Sequence, residues 1–301
     1  MPYTTSRSDG ASLYYRDYRP SHTAPFKPHA SRETASKPTL VFTAAWPFSS
    51  QMYDHVALPL CESYGFRCIL IDRRGFGKSE WSGSKPHEIS YETFADDLAQ
   101  VLETCGVGDF FVGIGASLGC GEFLMMLDRH PSLKSNCQGL VFLGPSLPIP
   151  MQTARKPTGP PRAFWDALLE SLRDDRTARL DTSLEYVWGE KGGEYLSAAE
   201  KARYARIAHE ADPWALERTI RIFLENDFTD HIREKGKTLD FPLLILHGNA
   251  DAANPVESGP GLIRDNVPRC EIKTYEDAAH GIAATHKARC VDDIVQFLQQ
   301  V

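Results

Sequence analysis

The sequence predicts an α/β fold: a mostly parallel sheet flanked by helices, with a helical segment inserted between two late strands. Two observations predict it. From residue 39 onward, short and almost continuously apolar runs alternate with segments of helical period. Continuous apolar runs are what strands buried on both faces of a parallel sheet require, and their alternation with helices implies right-handed βαβ units. One long stretch then carries helical period alone, although it lies between two of the strand-like runs.

In chain order, residues 3–8 and 11–18 alternate in character around Asp9-Gly10, which reads as an antiparallel hairpin. Residues 21–38 are polar and proline-rich and read as a long, mobile surface loop. The expected strands are TLVFTA (39–44), RCILID (67–72), FFVGIG (110–115), GLVFLG (139–144), PLLILHG (242–248) and CEIKTYE (270–276). Helices are expected near 51–64, 91–106, 118–130 and 286–300. The domain division that follows is a core of 1–145 and 239–301, and a helical cap of 146–238 with helical periods at FWDALLESL, AAEKARYARIAHE and ALERTIRIFLEN. A cap inserted there stands over the carboxyl end of the sheet, where ligands bind in open α/β folds.

Composition narrows the function. A chain of 301 residues, 42% hydrophobic, can bury one large core with an inserted subdomain. A net charge of −7 with dispersed lysines and arginines argues against a nucleic-acid or anionic-membrane surface. No apolar run reaches the roughly 20 residues that span a bilayer, and the polar MPYTTSRSDG lacks the apolar centre of a signal peptide. The seven cysteines (61, 68, 105, 120, 137, 270 and 290) form no CxxC pair and have no histidine at metal-ligand spacing. These features lead to the expectation of a reduced, cytoplasmic protein whose oligomeric state is not legible; the serine chemistry read below implies no metal, no organic cofactor and a small-molecule substrate.

Gly115-Ala116-Ser117-Leu118-Gly119 matches GxSxG. The bare pattern occurs by chance in many proteins, but here it follows a buried strand and opens a helix, as the motif requires. The flanking glycines permit a turn so tight that larger side chains would collide with it. Ser117 is therefore the expected nucleophile. A serine hydroxyl needs a base, and the base a partner that fixes its tautomer. The order Ser, acid, His is met by Asp251, just past PLLILHG, and His280, just past CEIKTYE. Among rivals, His247 reads as structural at its strand end, His286 as a helix cap or a residue behind the site, and Asp277 as a surface acid. The 141–145 strand end offers no carboxylate, which favours Asp251. His22, His29, His130 and His209 fall in polar loops or helix ends. The backbone amides of Leu118 and Trp46 are the expected oxyanion donors. Phe164, Trp165, Trp188 and Trp214 are candidates for an apolar acyl pocket, though aromatics at such positions serve as cap core at least as often.

The stretches AAWPFSSQMYDHVALPLCESYGFRCILIDRRGFGKS, GASLGCGEFL, FTDHIREKGKTLDFPLLILHGNADAANPVESG and KTYEDAAHGIAATHK resemble the α/β-hydrolases called cofactor-free (non-haem) haloperoxidases. The resemblance covers most of 39–145 and 228–300 and little of the cap. It implies an esterase able to form peracids from a carboxylic acid and peroxide, with its triad on Ser117, Asp251 and His280. It also matches Arg73-Arg74-Gly75-Phe76-Gly77, read as a structural turn. It departs at Ala44-Ala45, where the family usually has His-Gly. Alanine takes positive φ less readily than glycine, so a rearranged oxyanion loop is expected. The leading reading is hydrolysis of an ester, lactone or thioester through an acyl-serine. Two alternatives stay open: carbon–carbon cleavage, isomerisation or product release in a biosynthetic route, and a non-enzymatic receptor that keeps the fold.

Overall fold

The computed structural model describes residues 2–21, 37–85, 88–107 and 110–301. Apart from its ends, the loop expected over 21–38 lies outside the described residues, as do His22 and His29.

Eight strands form one sheet in the order β1-β2-β4-β3-β5-β6-β7-β8. β1 (Tyr3–Thr5) and β2 (Ser12–Tyr18) form the antiparallel hairpin, and β2 continues antiparallel onto β4 (Cys68–Ile71). β3 (Thr39–Thr43), β4, β5 (Phe111–Ala116), β6 (Cys137–Leu143), β7 (Leu243–Gly248) and β8 (Cys270–Tyr275) run parallel. The side-chain period of two sorts the apolar strands onto two faces. Leu40, Phe42, Val112, Ile114, Leu244 and Leu246 face one core; Val41, Phe111, Leu243 and Ile245 face the other.

Helices cover both faces. α1 (Asp54–Glu62), α2 (Tyr91–Thr104), α3 (Gly119–Arg129) and the short α4 (Pro131–Asn136) precede β6. α2 starts in a capping box, in which Ser90 accepts the Thr93 N–H while Thr93 bonds back to the Ser90 N–H. Arg74, fully buried, ties the hairpin turn to α2 through Asp9, Asp97, Ser6 and Ser8.

Between β6 and β7 lie α5 (Arg162–Asp174), α6 (Arg176–Trp188), α7 (Ala198–His209), α8 (Pro213–Glu225) and α9 (Thr229–Lys235). α6 had no counterpart among the helical periods, because RTARLDTSLEYVW is polar and only Asp175 separates it from α5; Asp175 caps it by accepting the Ala178 N–H. Trp165, Leu168, Leu172, Leu180, Leu216 and Ile220 of α5, α6 and α8 form a cluster with Phe76, Trp81 and Phe94 from the chain before β5. Phe228 and Ile232, at α9, instead join Leu239, Ile263 and Val267 against the sheet. After β7 come α10 (Pro260–Asn266), α11 (Ile282–Thr285) and α12 (Lys287–Leu298). Among the described residues no helix is long and apolar enough to cross a membrane, and all seven cysteines are free thiols.

β3 lies between β4 and β5, so the chain's connections leave in opposite directions on either side of it. That is the switch point at which the carboxyl ends of a parallel sheet open a crevice. The loops leaving β3, β5, β6, β7 and β8 all emerge at this edge.

Candidate active site

Ser117 follows β5 with φ of 55°, in the left-handed region that a non-glycine residue enters at a cost of about 1–3 kcal/mol. The neighbouring structure enforces it. Ser117 N–H donates to Leu143 O at 3.0 Å, and Tyr91 OH donates to Leu118 O at 2.5 Å. A side chain at position 119 would lie 2.6 Å from Thr43 Oγ1, and one at 115 only 3.0 Å from the Cys120 backbone. The two glycines of GxSxG are thus required because the start of α3 passes too close to β5 at Gly115 and to the end of β3 at Gly119 for a Cβ.

The loops after β7 and β8 are drawn together by Gly248, where a Cβ would sit 2.1 Å from Ala278 O, and by Ala250 N–H donating to Ala278 O at 2.9 Å. Asp251 Oδ2 then lies 2.7 Å from His280 Nδ1. Its other oxygen accepts the Ala253 and Asn254 N–H groups at 3.1 and 3.0 Å. Burial alone pushes the Asp251 carboxyl up; the His280 charge and hydrogen bond, with His247, override it and hold the carboxyl below its ordinary range. Burial likewise disfavours a charged His280, but the Asp251 carboxylate outweighs it and raises the imidazole above its ordinary value. An ionised carboxylate only accepts, so Nδ1 carries the proton of neutral His280 and Nε2 is left as a base. Gly144, at φ of 53°, passes beneath the ring; a Cβ there would meet His280 Nδ1 at 3.4 Å.

The rival groups lie elsewhere in the network. His247 is fully buried, pairs through Nε2 with Asn254 O at 2.7 Å, and has its pKa lowered by burial. Asp277 forms an exposed ion pair with Lys191. His286 Nδ1 meets Thr285 Oγ1 at 2.9 Å. His130 and His209 bond to Asp96 and Asp181.

The loop after β3 brings Trp46 to the same crevice. Neither Ala44 nor Ala45 takes positive φ, so this loop does not need the glycine that its alanines replace. It is anchored instead from below. Arg73, buried and paired with Glu122, donates from Nη2 to Ala44 O at 2.5 Å. From above, Trp46 Nε1 donates to Leu216 O on α8 at 3.2 Å. The stretch Arg73–Gly77, expected to be only a turn, therefore also holds the loop that carries Trp46.

Ser117, His280, Trp46 and Trp188 line one small apolar cavity of about 20 Å³, together with Phe48, Met52 and Leu143. That is room for about one water molecule. Trp188 stacks on Phe48 at 6.1 Å and meets Tyr204 edge-on at 5.0 Å. Gly281 N–H donates to Val187 O, which ties the end of α6 to the histidine loop. The other three aromatic candidates are not brought to this cavity. Trp214, on the first turn of α8, is 64% exposed, its ring under the Arg218 guanidinium one turn on. Trp165 packs inside the cluster that α5, α6 and α8 form with Phe76, Trp81 and Phe94, and Phe164 lies beside it against Arg179 and Tyr186. The 3.6-residue period that buries one side of each helix turns Trp165 and Phe164 toward neighbouring elements and leaves Trp214 on the solvent side, none of them reaching the sheet edge.

Sequence reading missed three polar residues. Ser146 Oγ lies 3.0 Å from Ser117 Oγ, Asn254 Nδ2 donates to Ser146 Oγ at 3.1 Å, and Lys156 Nζ approaches Asn254 Oδ1 at 3.5 Å. All three are buried. The only sequence signal was position: Ser146 and Asn254 follow strand ends facing the same edge.

Against known proteins, the serine aminopeptidase S33 family model matches residues 38–285, most of the chain. The chain belongs to this α/β-hydrolase family. A non-heme haloperoxidase of Rhodococcus erythropolis is 28% identical, covering 99% of this chain and all of that protein. A bifunctional esterase/perhydrolase of Acinetobacter calcoaceticus is 27% identical over 99% of this chain and all of its own length. Among solved structures, a bromoperoxidase from Bacillus anthracis superposes with a TM-score of 0.82 at 25% identity, covering 99% of each chain. An esterase from Exiguobacterium antarcticum, 21% identical over 99% of this chain and 98% of its own, shares the fold with a TM-score of 0.83. This α/β-hydrolase thus resembles non-haem haloperoxidases and esterases along its whole length, the inserted helices included.

Proposed function

We propose that this α/β-hydrolase cleaves an ester, lactone or thioester of a small organic substrate through an acyl-serine. The observation that carries the reading is the Asp251–His280 pair at 2.7 Å, facing the same cavity as a serine held at positive φ. Ser117 attacks the acyl carbon while His280 Nε2 takes its proton. The same imidazolium returns the proton to the leaving oxygen or sulfur, and Asp251 stabilises it meanwhile. The backbone amides of Trp46 and Leu118 receive the oxyanion, the latter at the positive end of α3. Water then hydrolyses the acyl-serine by the same steps. α5–α8 act as a cap, and Trp188 and Phe48 form the apolar wall that must give way to admit an acyl group, since the cavity holds only about one water molecule. The esterase/perhydrolase relative favours a second outcome at the same intermediate: hydrogen peroxide in place of water releases a peracid.

A fluorophosphonate probe tests the assignment. The wild type is expected to label with 1:1 stoichiometry, and Ser117→Ala not at all. Equal labelling of the two would overturn the nucleophile. Turnover of short p-nitrophenyl esters against lactones and thioesters then fixes the acyl and leaving groups.

A further inference from the structure

We propose that Ser146, oriented by Asn254 and Lys156, is a positioning residue that donates its hydroxyl proton to Ser117 Oγ. The inference rests on the reading of Ser117 as nucleophile.

The direction of each hydrogen bond follows from the chemistry of the last member. An ammonium has three donors and no acceptor. Lys156 Nζ, 3.5 Å from Asn254 Oδ1, therefore fixes that atom as the amide oxygen. Asn254 Nδ2 is then the donor, and it lies 3.1 Å from Ser146 Oγ. With its oxygen accepting from Asn254, Ser146 has its hydroxyl hydrogen left for the partner at 3.0 Å, Ser117 Oγ. The two serines are also joined through the backbone, Ser146 N–H reaching Ser117 O at 3.4 Å. The relay is shielded: Ser146, Lys156 and Asn254 are 3%, 2% and 1% exposed, so bulk water does not scramble it. Burial lowers the Lys156 ammonium to about 8, and Asp251, the acid that faces it, opposes that shift, so the group still carries its proton at neutral pH.

The consequence is geometric. A bond from Ser146 occupies one lone pair of Ser117 Oγ and turns the Ser117 O–H away from Ser146, toward the histidine side of the cavity. When His280 takes that proton, Ser146 keeps its own and steadies the developing negative charge on Oγ. No part of this arrangement needs Ser146 to touch substrate. Because Lys156 lies on the chain entering the helical cap, the cap entry sets the hydroxyl direction at the nucleophile.

Asn254→Asp tests it with almost no change of shape. A carboxylate next to Lys156 accepts only, so Ser146 must donate to it and accept from Ser117, which pulls the Ser117 proton away from His280. Saturating rates of fluorophosphonate labelling and probe affinity are to be measured for wild type, Ser146→Ala, Asn254→Asp and the double variant, with thermal melting as a check on folding. Ser146→Ala is expected to slow labelling about three- to tenfold at unchanged probe affinity, the size of one hydrogen bond. Asn254→Asp is expected to slow it about tenfold, and to add less than about twofold when Ser146 is already alanine, since the reversed bond is then gone. A mere effect of the added charge on His280 would persist in the double variant. Folded single variants that label at the wild-type rate, or effects that multiply in the double, overturn the proposal while Ser117→Ala stays silent. If Ser117→Ala itself labels, the underlying assignment fails instead.

Discussion

Replacing Asp251 with asparagine separates orientation of the histidine from simple occupancy of the site. Asp251 Oδ1 is bound by two backbone N–H groups, from Ala253 and Asn254. The oxygen of an asparagine amide must take that place, since an amide NH₂ facing two donors would leave all of them unpaired. The NH₂ group then faces His280 Nδ1, where the carboxylate stood 2.7 Å away. Nδ1 must accept, the imidazole proton moves to Nε2, and the atom meant to take the Ser117 proton already carries one. The fold has little reason to change, because the substitution is isosteric. Wrong-tautomer variants of this kind lose about 10³–10⁴-fold in rate, or about 4–5 kcal/mol of barrier stabilisation. The assay is kcat/KM for p-nitrophenyl acetate across pH, with melting followed by circular dichroism. A folded Asp251→Asn enzyme within about tenfold of wild type would refute the reasoning, since general-base help is itself worth about 10²-fold or more.

Three further outcomes are expected. His280 is raised above its ordinary 6.5, and only its neutral form accepts a proton; activity is thus present above that pKa and lost below it, so the acid limb of kcat/KM is expected above pH 6.5, and a limb below it would contradict the pairing. Trp188→Ala is expected to lower stability by about 3–5 kcal/mol in a urea titration and to shift preference toward longer acyl chains, whereas alanine at the exposed Trp214 changes either by less than about 0.5 kcal/mol. Arg73→Leu strands the buried Glu122 and is expected to cost about 3–5 kcal/mol; adding Glu122→Leu recovers most of that in Tm but not the turnover, because the Ala44 carbonyl remains unanchored, and joint recovery would show that Arg73 does not hold the loop.

The sequence by itself determined whatever depends on local period and local sterics. Unbroken apolar runs can only be buried on both faces, so β3 to β7 and their parallel arrangement were legible; β8, expected to be buried likewise, is instead a half-exposed edge strand, because no strand covers its outer side. GxSxG between a strand and a helix is legible for a local reason at Gly115, which answers to Cys120 five residues on, whereas Gly119 answers to Thr43 on the distant β3. Each of Ser117, Asp251 and His280 was located by being just past a strand, and parallel strands carry all such positions to one edge. What only the tertiary structure decided is whatever depends on two segments distant in the chain meeting at a particular distance. No pattern linked Arg73 to the Ala44 carbonyl, or Lys156 to Asn254 and on to Ser146, because a hydrogen bond between remote segments leaves no periodic trace. The cap aromatics teach the same limit. Helical period fixes which side of α5, α6 or α8 is buried, but not what lies opposite, so Trp188 lines the cavity beside Ser117 while Trp165 joins a cluster with Phe76, Trp81 and Phe94 and Trp214 meets solvent.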